Sequence, residues 1–148
     1  MMTTARPWLL AAAFISAAAS ALHFACIVVG APLYRAAGAG ERIAHMVEQG
    51  RILPHLYAAA IGTIIAVWGL YARPAAGLAP RLPLLRTALV AISLVLLARG
   101  LGYPLMRVWR PELSQAFLAW SSAICTLYGL CFAIGTSKAW PALSKGMN

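Results

Sequence analysis

Residues 7–30 read PWLLAAAFISAAASALHFACIVVG, with no Lys, Arg, Asp or Glu among them. A helix that crosses a bilayer needs about 20 mostly apolar residues, and this stretch supplies them. Its beginning imitates a secretory leader. Arg6 gives a positive end, residues 8–19 an apolar core, and residues 19–21 (Ala-Ser-Ala) a small-residue cleavage pattern. The apolar run continues past that point through Leu22, Phe24, Ile27, Val28 and Val29 to full membrane length. The segment therefore reads as a retained first transmembrane helix.

Three further windows of the same kind follow, at 54–72, 82–103 and 113–135. Together with 7–30 they occupy most of the 148 residues and leave no room for a separate soluble domain. The composition agrees. Apolar residues make up 62% of the chain and charged residues 10%, and the mean hydropathy is +0.80. A soluble domain keeps about a quarter of its residues charged. The expected fold is all-α, one integral-membrane four-helix bundle spanning 1–148, with both termini in the cytoplasm of a bacterial inner membrane.

The net charge of +9 comes from twelve Lys and Arg against three Glu. These bases are scattered through short links and helix ends, without a basic run or a nucleic-acid module, so no nucleic-acid partner is expected. Bases beside spans meet anionic head groups and set topology. The three cysteines, Cys26, Cys125 and Cys131, all lie in spans and form no CxxC pair. They read as small packing residues.

Small residues dominate the first span and recur in the second as Ala58, Ala59, Ala60 and Gly62. Such residues let helix backbones approach closely in lipid, which predicts a tight pairing of spans one and two. Pro54, Pro83 and Pro111 mark span starts, where a missing N–H costs nothing, and Pro32, Pro74, Pro80 and Pro104 are expected in links. In the first link, residues 41–48 (ERIAHMVE) set Ile43, Met46 and Val47 on one side and Glu41, His45 and Glu48 on another. Gly38, Gly40 and Gly50 flank them. A short amphipathic helix on the membrane surface is predicted there.

Polar groups inside spans are costly and need a reason. His23 and Arg99 both fall one to two turns short of the same membrane face, the outer one. That end also receives Tyr34, Glu41, His45, Glu48, His55, Tyr57, Tyr103, Glu112 and Gln115, so all three Glu and all three His gather there. Trp120, Ser121, Ser122 and Thr126 can complete a pocket from the fourth span. In a pocket, Arg99 would hold an anionic group and His23 would carry a proton or bond a ligand. Glu41, His45 and Glu48 have a spacing that can chelate a divalent ion. Each also has a plainer reading: Arg99 snorkelling to the interface, His23 bonded between helices, and the Glu41 face simply solvated. The ligand-binding candidates are thus His23, Arg99, Glu41, Glu48, His55, Tyr103, Trp120 and Ser121, with Glu41, His45 and Glu48 as weak metal candidates. No cofactor is expected.

In size and layout the chain resembles small bacterial families such as the DoxX-like proteins, and also the sterol-isomerase-like EXPERA bundles. The resemblance implies an architecture alone, because no motif here matches their polar residues. The chain contains no Gly-rich phosphate loop, GxSxG or HExxH. The expected function is therefore a non-catalytic one: binding a hydrophobic or lipid-like ligand, or serving as an accessory subunit. The partners expected are membrane lipids and a second copy or another membrane protein. The alternatives are a small membrane enzyme or redox component using His23 with Glu41 or Glu48, and a dimeric transporter.

Overall fold

The computed structural model describes residues 2–80, 82–111 and 113–144, and among them every regular element is a helix. Helix α1 runs Met2–Val29, α2 Ala31–Ala36, α3 Glu41–Glu48, α4 Leu53–Ala75, α5 Leu85–Leu101, α6 Tyr103–Trp109 and α7 Gln115–Ser144. Three of them, α1, α4 and α7, are long and apolar enough to cross a membrane, and α5 with α6 adds a fourth if the bent pair is one span. These helices point to a multi-pass membrane protein.

The side chains are arranged inside out for water and correctly for lipid. Large apolar groups face outward along the long helices, with Phe14 75% and Val28 87% exposed. Small polar groups face inward, among them Ser16, Ser20, Ser93, Ser122 and Thr136. A soluble monomer rarely shows apolar surface on this scale, whereas lipid rewards it.

Four helices alternate in direction. Advancing along α1 from Ser16 to His23 retreats along α4 from Gly69 to Gly62, and a Cβ on Gly69 would lie 2.8 Å from that of Ser16. Ser20 donates across the same seam to the Gly62 carbonyl at 2.9 Å. This is the close pairing the small residues predict. In the same way α5 runs against α7, from Arg86 over Trp140 to Leu97 against Gly129 and Gly100 against Thr126. Helix α1 also packs against α7, through Leu9 at Gly135 and a hydrogen bond between the Ser16 and Tyr128 hydroxyls. The α4–α5 seam is much the slighter. Ala72, Ala75, Leu85 and Leu89 belong to one apolar core, at the end where the chain turns from α4 to α5.

Several expectations are refined. The link after α1 holds two short helices rather than one: α2 precedes the foreseen α3, started by Pro32 in its first turn. The window 82–103 is a helix that breaks at Gly102 and bends by 64° into α6. Pro104 sits in the first turn of α6, not in a loop. It has no N–H to offer the Gly100 carbonyl, so α5 cannot continue straight. Pro74 is likewise buried in the last turn of α4, and α7 continues well past 135 to Ser144.

Candidate functional site

The α2–α3 hairpin lies over the end of the molecule where α1 finishes and α4 begins. Tyr34 is the pin that holds it. Its hydroxyl donates to the Pro54 carbonyl at 3.2 Å and lies 3.2 Å from His55 Nδ1. The two rings meet at a tilt, 5.7 Å between centroids. Tyr34 also shares an apolar cluster with Cys26 and Ala58, against which Ile43 and Val47 of α3 pack. Burial, and secondarily the Cys26 thiol, pushes the Tyr34 phenol above its ordinary pKa.

On the outer side of the hairpin the charges are paired. Arg35 Nε donates to both Glu41 oxygens at 3.1 and 3.0 Å, and Arg35 Nη1 lies 2.8 Å from Glu48 Oε1. His45 Nδ1 donates to Glu48 Oε2 at 3.0 Å. Arg35, and after it His45, hold the Glu48 carboxyl below its ordinary pKa. The two acids in turn raise that of Arg35. The foreseen Glu41 and Glu48 therefore converge on the guanidinium of Arg35, and His45 joins them through Glu48. Among the described residues no group of three acidic, His or Cys side chains is arranged to hold a metal ion.

Beneath the hairpin is a cavity of about 450 Å³, between α1 and α4 on one side and α5, α6 and α7 on the other. His23 and Arg99 both line it, as their common depth in the sequence implied. Apolar groups, among them Leu22, Ile61, Met106 and Phe117, supply most of the remaining wall, with Tyr34 and Tyr57 near the hairpin. A smaller cavity of about 260 Å³ shares Ala39, Ile43, Pro54, Tyr57 and Arg110 with it and extends under α3 to Arg42.

The two polar groups are held in defined states. His23 lies 2.8 Å from the Ala19 carbonyl through Nδ1. A carbonyl can only accept, so Nδ1 carries the proton, and in the neutral ring the lone pair sits on Nε2. Arg99 donates from Nη1 to the Ser122 hydroxyl at 3.4 Å and from Nη2 to that of Ser121 at 3.3 Å. These are long contacts to neutral acceptors. Among the described residues no carboxylate lies in ion-pair reach of Arg99.

The candidates thus separate. His23 and Arg99 meet at the cavity, Ser121 stands behind Arg99, and His55 supports Tyr34. Tyr103 sits 5.9 Å from the Arg107 guanidinium, outside the cavity wall, and Trp120 is 72% exposed on the outer face of α7. Thr126 bonds back to the Ser122 carbonyl of its own helix, and Glu112 lies outside the described residues. Sequence reasoning missed Phe117 and Arg110. The signal for Arg110 was the Gly102-Tyr103-Pro104 break: α6 turns by 64°, and the residue just after it joins the cavity wall.

A larger groove, about 850 Å³, follows the outward face of α5 and α7 at the opposite end, between Leu85, Val90, Leu94 and Trp140. Arg86 stacks 4.0 Å over the Trp140 ring there. Its walls belong to the outward apolar face of α5 and α7, and none of the polar candidates lines it, so the candidate site is the smaller cavity. Comparison of the chain with models of protein families, with curated proteins and with solved structures gives no match.

Proposed function

We propose that the protein is an integral-membrane four-helix bundle, with α5 and α6 forming one broken span, that holds a hydrophobic or lipid-like ligand without transforming it. One observation carries the proposal: His23 and Arg99, from different helices, both line a mainly apolar cavity beneath the α2–α3 roof. At about 450 Å³ its size suits a small amphiphile, since ligand sites commonly run from about 300 to 1,000 Å³. Placement in a bacterial inner membrane rests on the resemblance of layout. An accessory-subunit role would use the same cavity to receive a side chain or lipid of a neighbour.

Native mass spectrometry of protein released from mild detergent tests this. The expected result is a discrete bound mass that Ile61→Trp, which fills the cavity, abolishes and that Arg99→Leu and His23→Leu weaken. A bare chain, or a bound mass indifferent to all three changes, overturns it. The second reading, a small membrane enzyme, is favoured by the lone pair that His23 Nε2 retains once Nδ1–H is bonded to Ala19. That is the state of a general base. It requires that a bound ligand leave chemically altered, with His23→Gln abolishing the change while still binding the ligand.

A further inference from the structure

Granting the ligand-holding cavity proposed above, the charge of its wall selects the head group. Arg99 is a fixed cation in a helix long stretches of which are apolar, and a cation at membrane depth requires compensation. What it has among the described residues is two serine hydroxyls at 3.3 and 3.4 Å, neutral acceptors at the long limit of hydrogen bonding. The chain contains three acids and no Asp. Glu41 and Glu48 are taken up by Arg35 at 2.8 to 3.1 Å on the far side of the hairpin, and Glu112 lies outside the described residues. The cavity wall carries Arg99 and, among the described residues, no carboxylate. A mainly apolar wall that carries the Arg99 cation is complementary to a negative head group on a hydrocarbon chain.

We infer that the ligand is a single-chain amphiphile with one anionic head group, a carboxylate or a phosphate monoester, seated against the Arg99 guanidinium with its chain along Leu22, Ile61 and Phe117. The planar fork of an arginine suits both head groups, because each presents two oxygens to its N–H donors. Ser121 and Ser122 act as positioning residues: by accepting from Nη2 and Nη1 they keep the guanidinium in the wall instead of letting it extend toward the head groups.

Binding of chain-matched probes to delipidated protein in mild detergent separates charge from apolar fit. The probes are oleate, oleyl phosphate, oleyl alcohol and oleylamine, and the proteins are the parent, Arg99→Gln and Arg99→Lys. The parent is expected to bind oleate or oleyl phosphate about tenfold or more tightly than the alcohol, the scale of one hydrogen bond to a charged group, and oleylamine weakest. Arg99→Gln is expected to erase that preference by weakening the two anions far more than the alcohol, and Arg99→Lys to retain it in part. Whichever anion the parent prefers identifies the head group. Equal affinity for oleate, oleyl phosphate and oleyl alcohol, all lost in Ile61→Trp, overturns the anionic head group and leaves the cavity reading standing. Binding of every probe unaffected by Ile61→Trp, or no binding at all, overturns the cavity reading and this inference with it. A preference that survives Arg99→Gln overturns the role of Arg99.

Discussion

Ser16 and Tyr128 share a hydrogen bond in the middle of the molecule, and the next residue on α7, Gly129, brings α5 close. These neighbours hold helices together by different means, so their removal should cost different amounts. Ser16 also donates to the Ala12 carbonyl of its own helix at 2.8 Å, so Tyr128→Phe leaves it satisfied. Interhelical hydrogen bonds in membrane proteins average about 0.6 kcal/mol, and a loss of about that size is expected. Gly129 differs because a Cβ there would lie 2.9 Å from Leu97 Cγ and 3.0 Å from the Leu97 backbone nitrogen. Backbone cannot step aside as a side-chain tip can. Gly129→Ala should therefore cost roughly 1–3 kcal/mol, the usual range for overpacking. Reversible unfolding in mixed micelles measures both, and a larger loss at 128 than at 129 would refute close approach as the source of α5–α7 affinity. At this scale the sequence was partly legible. Small residues announced close pairing of α1 and α4, but nothing in the spacing of Gly100 and Gly129 says that they meet Thr126 and Leu97, because facing partners depend on crossing geometry.

Helix α3 was the most legible of the short elements, since its apolar face and flanking glycines are both explicit in residues 38–50. Its predecessor α2 was hidden: six residues, Ala31–Ala36, are too few for a periodic pattern to emerge. With α2 hidden, the sequence does not show that Arg35 joins α2 to α3 through Glu41 and Glu48. The hairpin's attachment should consequently depend on pH. Glu48 has its pKa depressed by Arg35 and then His45, so the ion pairs contribute fully above the ordinary carboxylate value of 4.5 and are lost as pH falls through the lower folded value. Arg35 is shifted the other way, upward, by its hydrogen bonds to Glu48 and Glu41, so it stays charged and no alkaline loss is expected in the working range. A nitroxide attached at Gln49→Cys, in a chain whose three native cysteines are replaced, reports α3 mobility. Its spectrum should stay constant down to about pH 5 and loosen below about pH 4. Glu48→Gln should show the looser spectrum at every pH, and high salt should partly mimic it by screening. A spectrum unchanged at low pH and in Glu48→Gln would mean that Tyr34 and the apolar face alone fasten the hairpin. The α5–α6 bend belongs to the same scale. The prolines mark boundaries, but hydropathy runs on through Gly102 without a change, and a break inside an apolar window leaves no trace in an average.

Over the whole molecule the open matter is how often the chain crosses. Helix α5 has 17 residues, about 25 Å at 1.5 Å per residue, against a hydrocarbon core of about 30 Å. A helix this short, broken at Gly102, is compatible in length with a re-entrant loop, which would give three crossings and set the termini on opposite sides. Its partners argue otherwise. Arg86 at its start meets Trp140 near the end of α7, and Arg99 near its finish meets Ser121 and Ser122 near the beginning of α7. Helix α5 thus accompanies α7 along most of its length and does not turn back. The shortfall is of the size that local thinning of the bilayer absorbs, and α6, bent by 64° from α5 with Trp109 exposed, has the form of an interfacial segment. Four crossings place both termini on one side. Arg6, Arg73, Arg86 and Lys138 are at that end, with Arg81 and Lys145 outside the described residues, against Arg35, Arg42, Arg51, Arg107 and Arg110 at the other. The margin in bases is slight, but Arg73, Arg81 and Arg86 follow closely on one another in the sequence around the short α4–α5 turn, and short loops carry the topological signal. We therefore expect both termini in the cytoplasm. Fusing a reporter active only in the cytoplasm, and separately one active only outside it, to each terminus of the full chain decides both questions. Cytoplasmic activity at both ends supports four crossings in the expected orientation. External activity at both ends keeps four crossings and inverts the molecule, so that the cavity roofed by α2 and α3 faces the cytoplasm and takes its ligand from the inner leaflet. Activity split between the ends makes α5 and α6 re-entrant, and Arg99 then approaches its ligand from a loop that dips into the membrane and returns.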